Sequence, residues 1–288
     1  MSDSRALITG ARGQLGSDLS VLLAERGEVR AAGREELDVT DDGAVAAAMA
    51  EVSPTLVVNC AAFHNVDRCE GEEDRSFEVN ARAVKRLAEA CATTGAKLVH
   101  FSTNYVFDGT SAEPYAEDDR PSPRSVYAIS KLAGEHAALA YASGALVVRT
   151  AGLYGMHGSE SKGGNFVTRM LARAGEQGKL RMVADQRLTP TFTLDLARAV
   201  VEAVDADADG VLHLTNSGEC SWHEFTRAIM DVAGIDVPVE AVETGTGPGQ
   251  VQRPRNGVLR SVRAGALGLS PLRPWNEALT DYMSRNGS

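Results

Sequence analysis

The chain has 288 residues, 43% of them hydrophobic, enough for one large or two modest domains with a substantial core. With 39 acidic against 29 basic residues its formal charge is -10, which argues against a nucleic-acid partner. No apolar run reaches the length of a membrane span, the N-terminus lacks a signal-peptide pattern, and Cys60, Cys69, Cys91 and Cys220 form no C-x-x-C pair, so the expectation is a cytoplasmic protein with reduced thiols and no metal site.

Arg5–Thr9 is a short β-type run. Gly10-Ala11-Arg12-Gly13-Gln14-Leu15-Gly16 follows it, and Gln14–Arg26 then carries Leu15, Leu19, Leu22 and Leu23 along one helical side until Gly27 stops it. Glu28–Ala32 is expected as the second strand and Asp42–Val52 as an alanine-rich helix. Thr55–Asn59 is an apolar third strand suited to a buried parallel position. A long helix over Glu72–Thr93, a fourth strand over Lys97–Ser102, a helix over Ser125–Ala142 and a fifth strand over Ala145–Arg149 complete a regular alternation. Such alternation predicts a doubly wound α/β sheet, a Rossmann arrangement, which binds ligands beyond the carboxyl ends of its strands.

The pattern loosens after residue 152. His157–Gly164 is rich in glycine and serine and is expected as a mobile loop, and Gly245–Gly249 is a glycine- and proline-rich loop. Asn165–Gly175, Thr193–Asp205 and Ser221–Ala233 have helical patterns; Leu180–Val183 and Gly210–Leu214 have extended ones. The expectation is a nucleotide-binding domain over 1–152, a smaller substrate domain over 153–288, and elements near 185–210 that return to the main sheet.

The glycine loop sits at the first strand-to-helix junction, where a dinucleotide pyrophosphate rests on backbone N–H groups. Gly10 would permit the tight turn, Gly13 the approach of backbone to phosphate, and Gly16 close packing of helix and strand. The second strand ends Ala31-Ala32-Gly33-Arg34. Arg34 is placed for the 2′-phosphate of NADPH, with Arg12 assisting, although Glu35 and Glu36 keep NADH open.

Tyr127 and Lys131 stand four residues apart, which puts a phenol and an ammonium on one helix face. A lysine so placed favours the phenolate and lowers the phenol pKa, as proton transfer to a carbonyl demands. At the end of the fourth strand Ser102 and Thr103 offer hydroxyls to orient that carbonyl.

With these residues in place the chain resembles the extended short-chain dehydrogenase/reductases, and within them the dTDP-4-dehydrorhamnose reductase group. The matching stretches are Gly10–Gly16, Asn59-Cys60-Ala61-Ala62 with Val66-Asp67 and Glu70, Ser102–Gly109, Tyr127–Glu135, Arg149-Thr150, Gly164-Asn165-Phe166, Asp185-Gln186 with Pro190-Thr191, and Arg253-Pro254. The Ser-Thr-x-Tyr-Val-Phe segment paired with Tyr-x-x-x-Lys is specific to that group; the glycine loop is widely shared. The resemblance implies a catalytic set of Thr103, Tyr127 and Lys131. Tyr127 would donate the proton, Lys131 would bind the nicotinamide ribose and acidify the phenol, and Thr103 would hold the sugar's C4 oxygen. It further implies cofactor contacts from Gly10, Arg12, Gly13, Gln14, Leu15, Gly16, Arg34, Asp38, Val39, Asn59, Ala61 and Ala62. Substrate contacts would come from Ser102, Thr103, Asn104, Tyr105, Gly152, Asn165 and Arg187. The implied reaction is NADPH-dependent reduction of a 4-keto-6-deoxysugar on a nucleoside diphosphate, and a homodimer is compatible with it.

The chain also departs from that group. Gly152 stands where a tryptophan is usual, which predicts a larger sugar pocket, Asn104 replaces an aspartate, and Gly257 replaces a serine. A sister 4-ketoreductase, a nucleotide-sugar epimerase and a non-catalytic cofactor-binding subunit therefore stay open as alternatives.

Overall fold

The computed structural model describes residues 4–157, 164–245 and 250–286. Most of the expected His157–Gly164 loop and of Gly245–Gly249 lies outside them. Strand β1 (Arg5–Thr9) leads through the glycine turn into helix α1 (Gln14–Ala24), whose Leu15, Leu19 and Leu23 are buried one turn apart. Strand β2 (Glu28–Ala32), helix α2 (Asp42–Val52) and strand β3 (Leu56–Asn59) follow; the Asp41 side chain caps α2 by accepting from the Ala44 N–H.

The expected long helix over 72–93 is broken. Helix α3 (Val66–Gly71) and helix α4 (Glu73–Phe77) precede a π-helical turn, Glu78–Arg82, before helix α5 (Ala83–Thr94) resumes. The buried Asn80 occupies that turn, accepting from the Phe63 N–H and donating to the Phe63 carbonyl and to Ser130 Oγ. A π turn adds about one residue to a single turn of an otherwise helical run, too local a change for the sequence pattern to reveal.

Strand β4 (Lys97–Thr103), helix α6 (Val126–Tyr141, capped by Ser125) and strand β5 (Leu146–Thr150) complete the first half. Then come strand β6 (Leu153–Tyr154), helix α7 (Phe166–Gln177), strand β7 (Leu180–Val183), strand β8 (Arg187–Leu188), strand β9 (Thr191–Phe192) and helix α8 (Thr193–Asp205). Strand β10 (Gly210–His213), strand β11 (Cys220–Ser221), helix α9 (Trp222–Ala233), strand β12 (Val239–Val242) and helix α10 (Trp275–Asn286) end the chain. Helix α10 has no counterpart among the expected elements; its buried face is only Ala278, Leu279 and Tyr282, too short an apolar stripe to stand out.

Six parallel strands form the central sheet in the order β10-β5-β4-β3-β1-β2. Helices α1 and α8 cover one face, where Ile8, Val58, Val99 and Val148 meet Leu19, Leu196 and Val200. Helices α2, α5 and α6 cover the other, over Leu7, Val57, Leu98 and Val147. Each such fully buried aliphatic side chain stabilises by about 1.5–3 kcal/mol. A separate aromatic cluster of Tyr154, Phe192, Phe225 and Tyr282 organises the later elements. The chain steps from β1 out to β2 and back past β1 to β3, so the crevice opens at the carboxyl ends of β1 and β3.

Candidate active site

Parallel register aligns two rows of polar side chains at the carboxyl end of the sheet, both on the face covered by α6. Thr9 pairs with Asn59 and Asn59 with His100; one step on, Ser102 pairs with Arg149 and Arg149 with His213. Helix α6 covers these rows with side chains spaced four apart, Tyr127, Lys131 and Glu135, which share one face. Gly134 lets α6 lie close to both the π turn and the sheet, because a Cβ there would collide with the Asn80 carbonyl and come within 3.2 Å of His100 Nε2.

Glu135 and Lys131 find their partners in the rows, and Tyr127 finds its own just beyond them, at Thr103 and Tyr105. Glu135 takes a bidentate grip from Arg149 at 2.9 and 2.7 Å and accepts from Ser102 Oγ at 2.5 Å. Lys131 Nζ lies 3.3 Å from His100 Nε2. Tyr127 shares a hydrogen bond with Thr103 and meets the Tyr105 ring edge-on, centroids 5.9 Å apart. Thr103 Oγ1 donates to Asn104 Oδ1 and accepts from the Tyr105 N–H, which fixes its rotamer.

The expected acidification of Tyr127 by Lys131 is not what this geometry produces. Burial raises the phenol pKa, and the Thr103 hydrogen bond only partly offsets it. The Lys131 ammonium faces His100 instead, and burial pushes it down to about 8 against the pull of Glu135. A phenol held in its protonated form is the one that can give a proton away.

At the crevice, Gly10 has φ +65° and an added Cβ would sit 2.6 Å from the Ala61 nitrogen. Only glycine lets β1 and β3 turn against each other here. Helix α1 starts at Gly13 with no side-chain cap and no acidic residue in its first turn. The Gln14 side-chain oxygen is buried without a partner, and Leu15 is buried beneath the turn. This uncapped positive helix end, beside the exposed Ala62, fits a dinucleotide pyrophosphate. Arg12 and Arg34 stand at the end of β2, both well exposed. Arg12 is ion-paired with Glu36, which also accepts from the Gly33 N–H at 2.8 Å, and Arg34 approaches Asp38 at 3.7 Å. Asp38 in turn caps Thr40, and Val39 is buried.

Several residues expected to touch ligands do other work. Asn59 is 1% exposed and its side chain is consumed by Thr9, Ala61 and His100, so it braces the crevice instead of lining it. Ser102 is committed to Glu135 inside the fold. Asn165 is the N-cap of α7 in a capping box with Thr168, and its amide donates to the Gly155 carbonyl and to Tyr282. Asn104 is buried and donates to the Gly257 carbonyl at 2.9 Å, so these two departures from the family pattern form one contact. Arg187 pairs with Glu219 at the surface, while its backbone carbonyl holds the Gly257 N–H. A hydrophilic side chain in a matching motif signals importance without saying whether its partner is a ligand or the protein. Glu135 and Arg149 fall in stretches that match the family pattern without a role of their own; a further signal is that Glu135 continues the Tyr127, Lys131 spacing.

Gly152 corrects a further expectation. Its φ is +58°, and a Cβ would lie 2.7 Å from Leu188 Cδ1 and 3.1 Å from the Pro190 Cα. The space in that direction is filled by Leu188 and is no enlargement of the pocket. Gly152→Trp is therefore expected to destabilise by about 3 kcal/mol, combining left-handed strain with overpacking. Thermal unfolding checks this; an undiminished midpoint would show that the loop accommodates the ring.

Among the described residues no group of three or more His, Cys, Asp or Glu side chains could hold a metal ion, and no helix is long and apolar enough to cross a membrane. None of the four cysteines is in a disulfide, and three are buried.

A parallel sheet with a glycine turn at its switch point, Thr103 at the end of β4, and Tyr127 with Lys131 on the helix that follows define an oxidoreductase of the extended short-chain dehydrogenase/reductase class. More narrowly, the chain belongs to the RmlD substrate binding domain family, whose model matches residues 4–287. It is 41% identical to a dTDP-4-dehydrorhamnose reductase of Streptomyces griseus, over 96% of this chain and 92% of that one. It is 40% identical to a dTDP-4-keto-6-deoxy-D-glucose reductase of Streptomyces niveus, over 96% of this chain and 95% of the relative. The structure of dTDP-4-dehydrorhamnose reductase from Bacillus anthracis in complex with NADP superposes with a TM-score of 0.93, at 33% identity, covering 99% of this chain and 100% of that one.

Proposed function

We propose that this chain reduces a nucleotide-linked 4-keto-6-deoxysugar with NADPH, converting dTDP-4-dehydrorhamnose to dTDP-rhamnose. The observation that carries the reading is the placement of Thr103, Tyr127 and Lys131 at the carboxyl ends of the strands whose switch point holds the Gly10 turn. NADPH, when bound, supplies the hydride. The uncapped end of α1, with Gly13, Gln14 and Leu15, holds its pyrophosphate, and Arg34 with Arg12 receives its 2′-phosphate once Glu36 yields. Thr103 orients the C4 carbonyl oxygen, Tyr127 gives that oxygen its proton, and Lys131 binds the nicotinamide ribose. In this reading the sugar lies between β4 and the smaller unit built around Tyr154 and Phe225, with the division near residue 152 and α8 and β10 returning to the main sheet. Four cysteines outside any disulfide suit a reducing, cytoplasmic setting.

The test is steady consumption of NADPH with dTDP-4-dehydrorhamnose, and the product's C4 configuration determined by NMR. Recycling of tightly held cofactor without net consumption would instead mark an epimerase. A second reading, reduction of a different 4-keto-6-deoxysugar, draws support from the Streptomyces niveus relative, whose identity is nearly equal. A panel of such sugars separates the two.

Arg34→Ala is expected to weaken NADPH about tenfold and leave NADH nearly unchanged, the scale of one hydrogen bond to a charged group. Equal effects on both cofactors, measured by fluorescence titration, would remove the 2′-phosphate assignment.

A further inference from the structure

The hydrogen bonds that end at Lys131 have one donor too many. Asn59 Oδ1 accepts from Thr9 Oγ1 at 2.7 Å and from the Ala61 N–H at 3.2 Å. A backbone N–H can only donate, so the amide orientation of Asn59 is settled and its Nδ2 is the donor 3.1 Å from His100 Nδ1. His100 Nδ1 must accept. A neutral imidazole that accepts at Nδ1 carries its proton on Nε2, and Nε2 faces Lys131 Nζ at 3.3 Å. An ammonium has three N–H groups and no acceptor. His100 is fully buried, so no solvent relieves the opposition.

The geometry points to His100 as a positioning residue that sets the protonation of Lys131: the row Thr9–Asn59–His100 presents an N–H to Nζ, which favours the amine in the free protein and makes cofactor binding take up a proton. This deepens the function proposed above and rests on it only for the use to which the lysine is put. In the free protein the Lys131 proton passes to water as pH rises; it returns from water when ribose hydroxyls offer Nζ acceptors. The other groups facing this pair do not replace the effect. Cys60, at the end of β3, is a thiol pushed up to about 12 by burial. Glu135, one turn along α6, is already gripped by Arg149, and Tyr127 is held as the phenol. Burial and Lys131 together keep the imidazole itself neutral.

The test joins spectroscopy with calorimetry. In ¹⁵N-histidine-labelled protein, His100 is expected as the Nε2–H tautomer, unchanged between about pH 5.5 and 8. The His100→Gln spectrum assigns the resonance, and His100→Asn serves if the glutamine variant does not fold. An Nδ1–H tautomer, or titration within that range, overturns the proposal. Calorimetry of NADPH binding at pH 8, in two buffers of different ionisation enthalpy, should show uptake of about 0.5 proton, given a Lys131 pKa of about 8. His100→Gln offers Nζ an oxygen acceptor, which should raise the lysine by at least about one pH unit and cut the uptake to about 0.1 or less. Equal uptake in both proteins overturns the assignment. Uptake as expected in a protein that reduces no keto sugar would leave His100 in this role and remove only the function proposed above.

Discussion

Tyr127→Phe is expected to bind NADPH as the parent protein does and to turn over the keto sugar at least ~100-fold more slowly, the scale of general acid catalysis. The ring keeps its edge-on contact with Tyr105 and its seat on α6, so the fold loses only a hydroxyl. Reduction of a ketone leaves an alkoxide that must be protonated inside the crevice. The phenol is poised for this because burial keeps it protonated and Thr103 fixes its direction. The loss should appear in kcat with little change in the NADPH dissociation constant, since the hydroxyl acts on the substrate oxygen. Paired turnover and binding measurements decide the matter. Turnover near that of the parent would place the acid elsewhere, and weakened NADPH binding in the variant would mean that the phenol holds cofactor instead.

Glu135→Leu is expected to cost about 3–5 kcal/mol of stability. The Glu135 and Arg149 side chains are 2% and 4% exposed, and the pair is bidentate. Removing the carboxylate strands a guanidinium whose remaining neighbours are the Phe107 ring and His213 Nε2, 3.5 Å away. His213 donates from Nδ1 to carbonyls of Tyr115 and Arg260, so its Nε2 offers one lone pair and no charge. Burial holds that imidazole down at about 4, so it stays neutral across the working range. The double variant Glu135→Leu with Arg149→Met should recover much of the loss, because it strands nothing. Thermal unfolding of the two single variants and the double variant gives the coupling. Single variants within about 1 kcal/mol of the parent would mean that water reaches the guanidinium.

The two expectations differ in how visible their residues were beforehand. Tyr127 and Lys131 were legible because helical spacing is a local property, and four residues always return to the same face. The glycine turn was legible for the same reason: it lies within seven consecutive residues between a strand and a helix. Glu135 continues that spacing and passed without a role, because its partner Arg149 lies 14 residues on, in another strand. His100 shows no sign of its role in the sequence, because nothing there places Asn59 and Lys131 around it. Asn165 and Ser102 were assigned to substrate because they sit in recognisable motifs, yet a motif does not disclose whether a polar group faces outward or is spent on a cap or a buried carboxylate. The Gly152 expectation failed on backbone conformation, since a letter in a sequence carries no φ.

By itself the amino-acid sequence determined the alternation of strands and helices, the parallel sheet it implies, the turn at the end of β1 and the phenol and ammonium on one helical face. These follow from periodicity and from residue chemistry over short spans, where neighbours in the chain are neighbours in space. Tertiary structure alone decided which strands lie side by side, and thus that Thr9, Asn59 and His100 form one row and Ser102, Arg149 and His213 another. Hydrogen bonding and desolvation act through those contacts, between residues as far as 64 positions apart, so the protonation of the site belongs to the packed molecule and not to any segment of it.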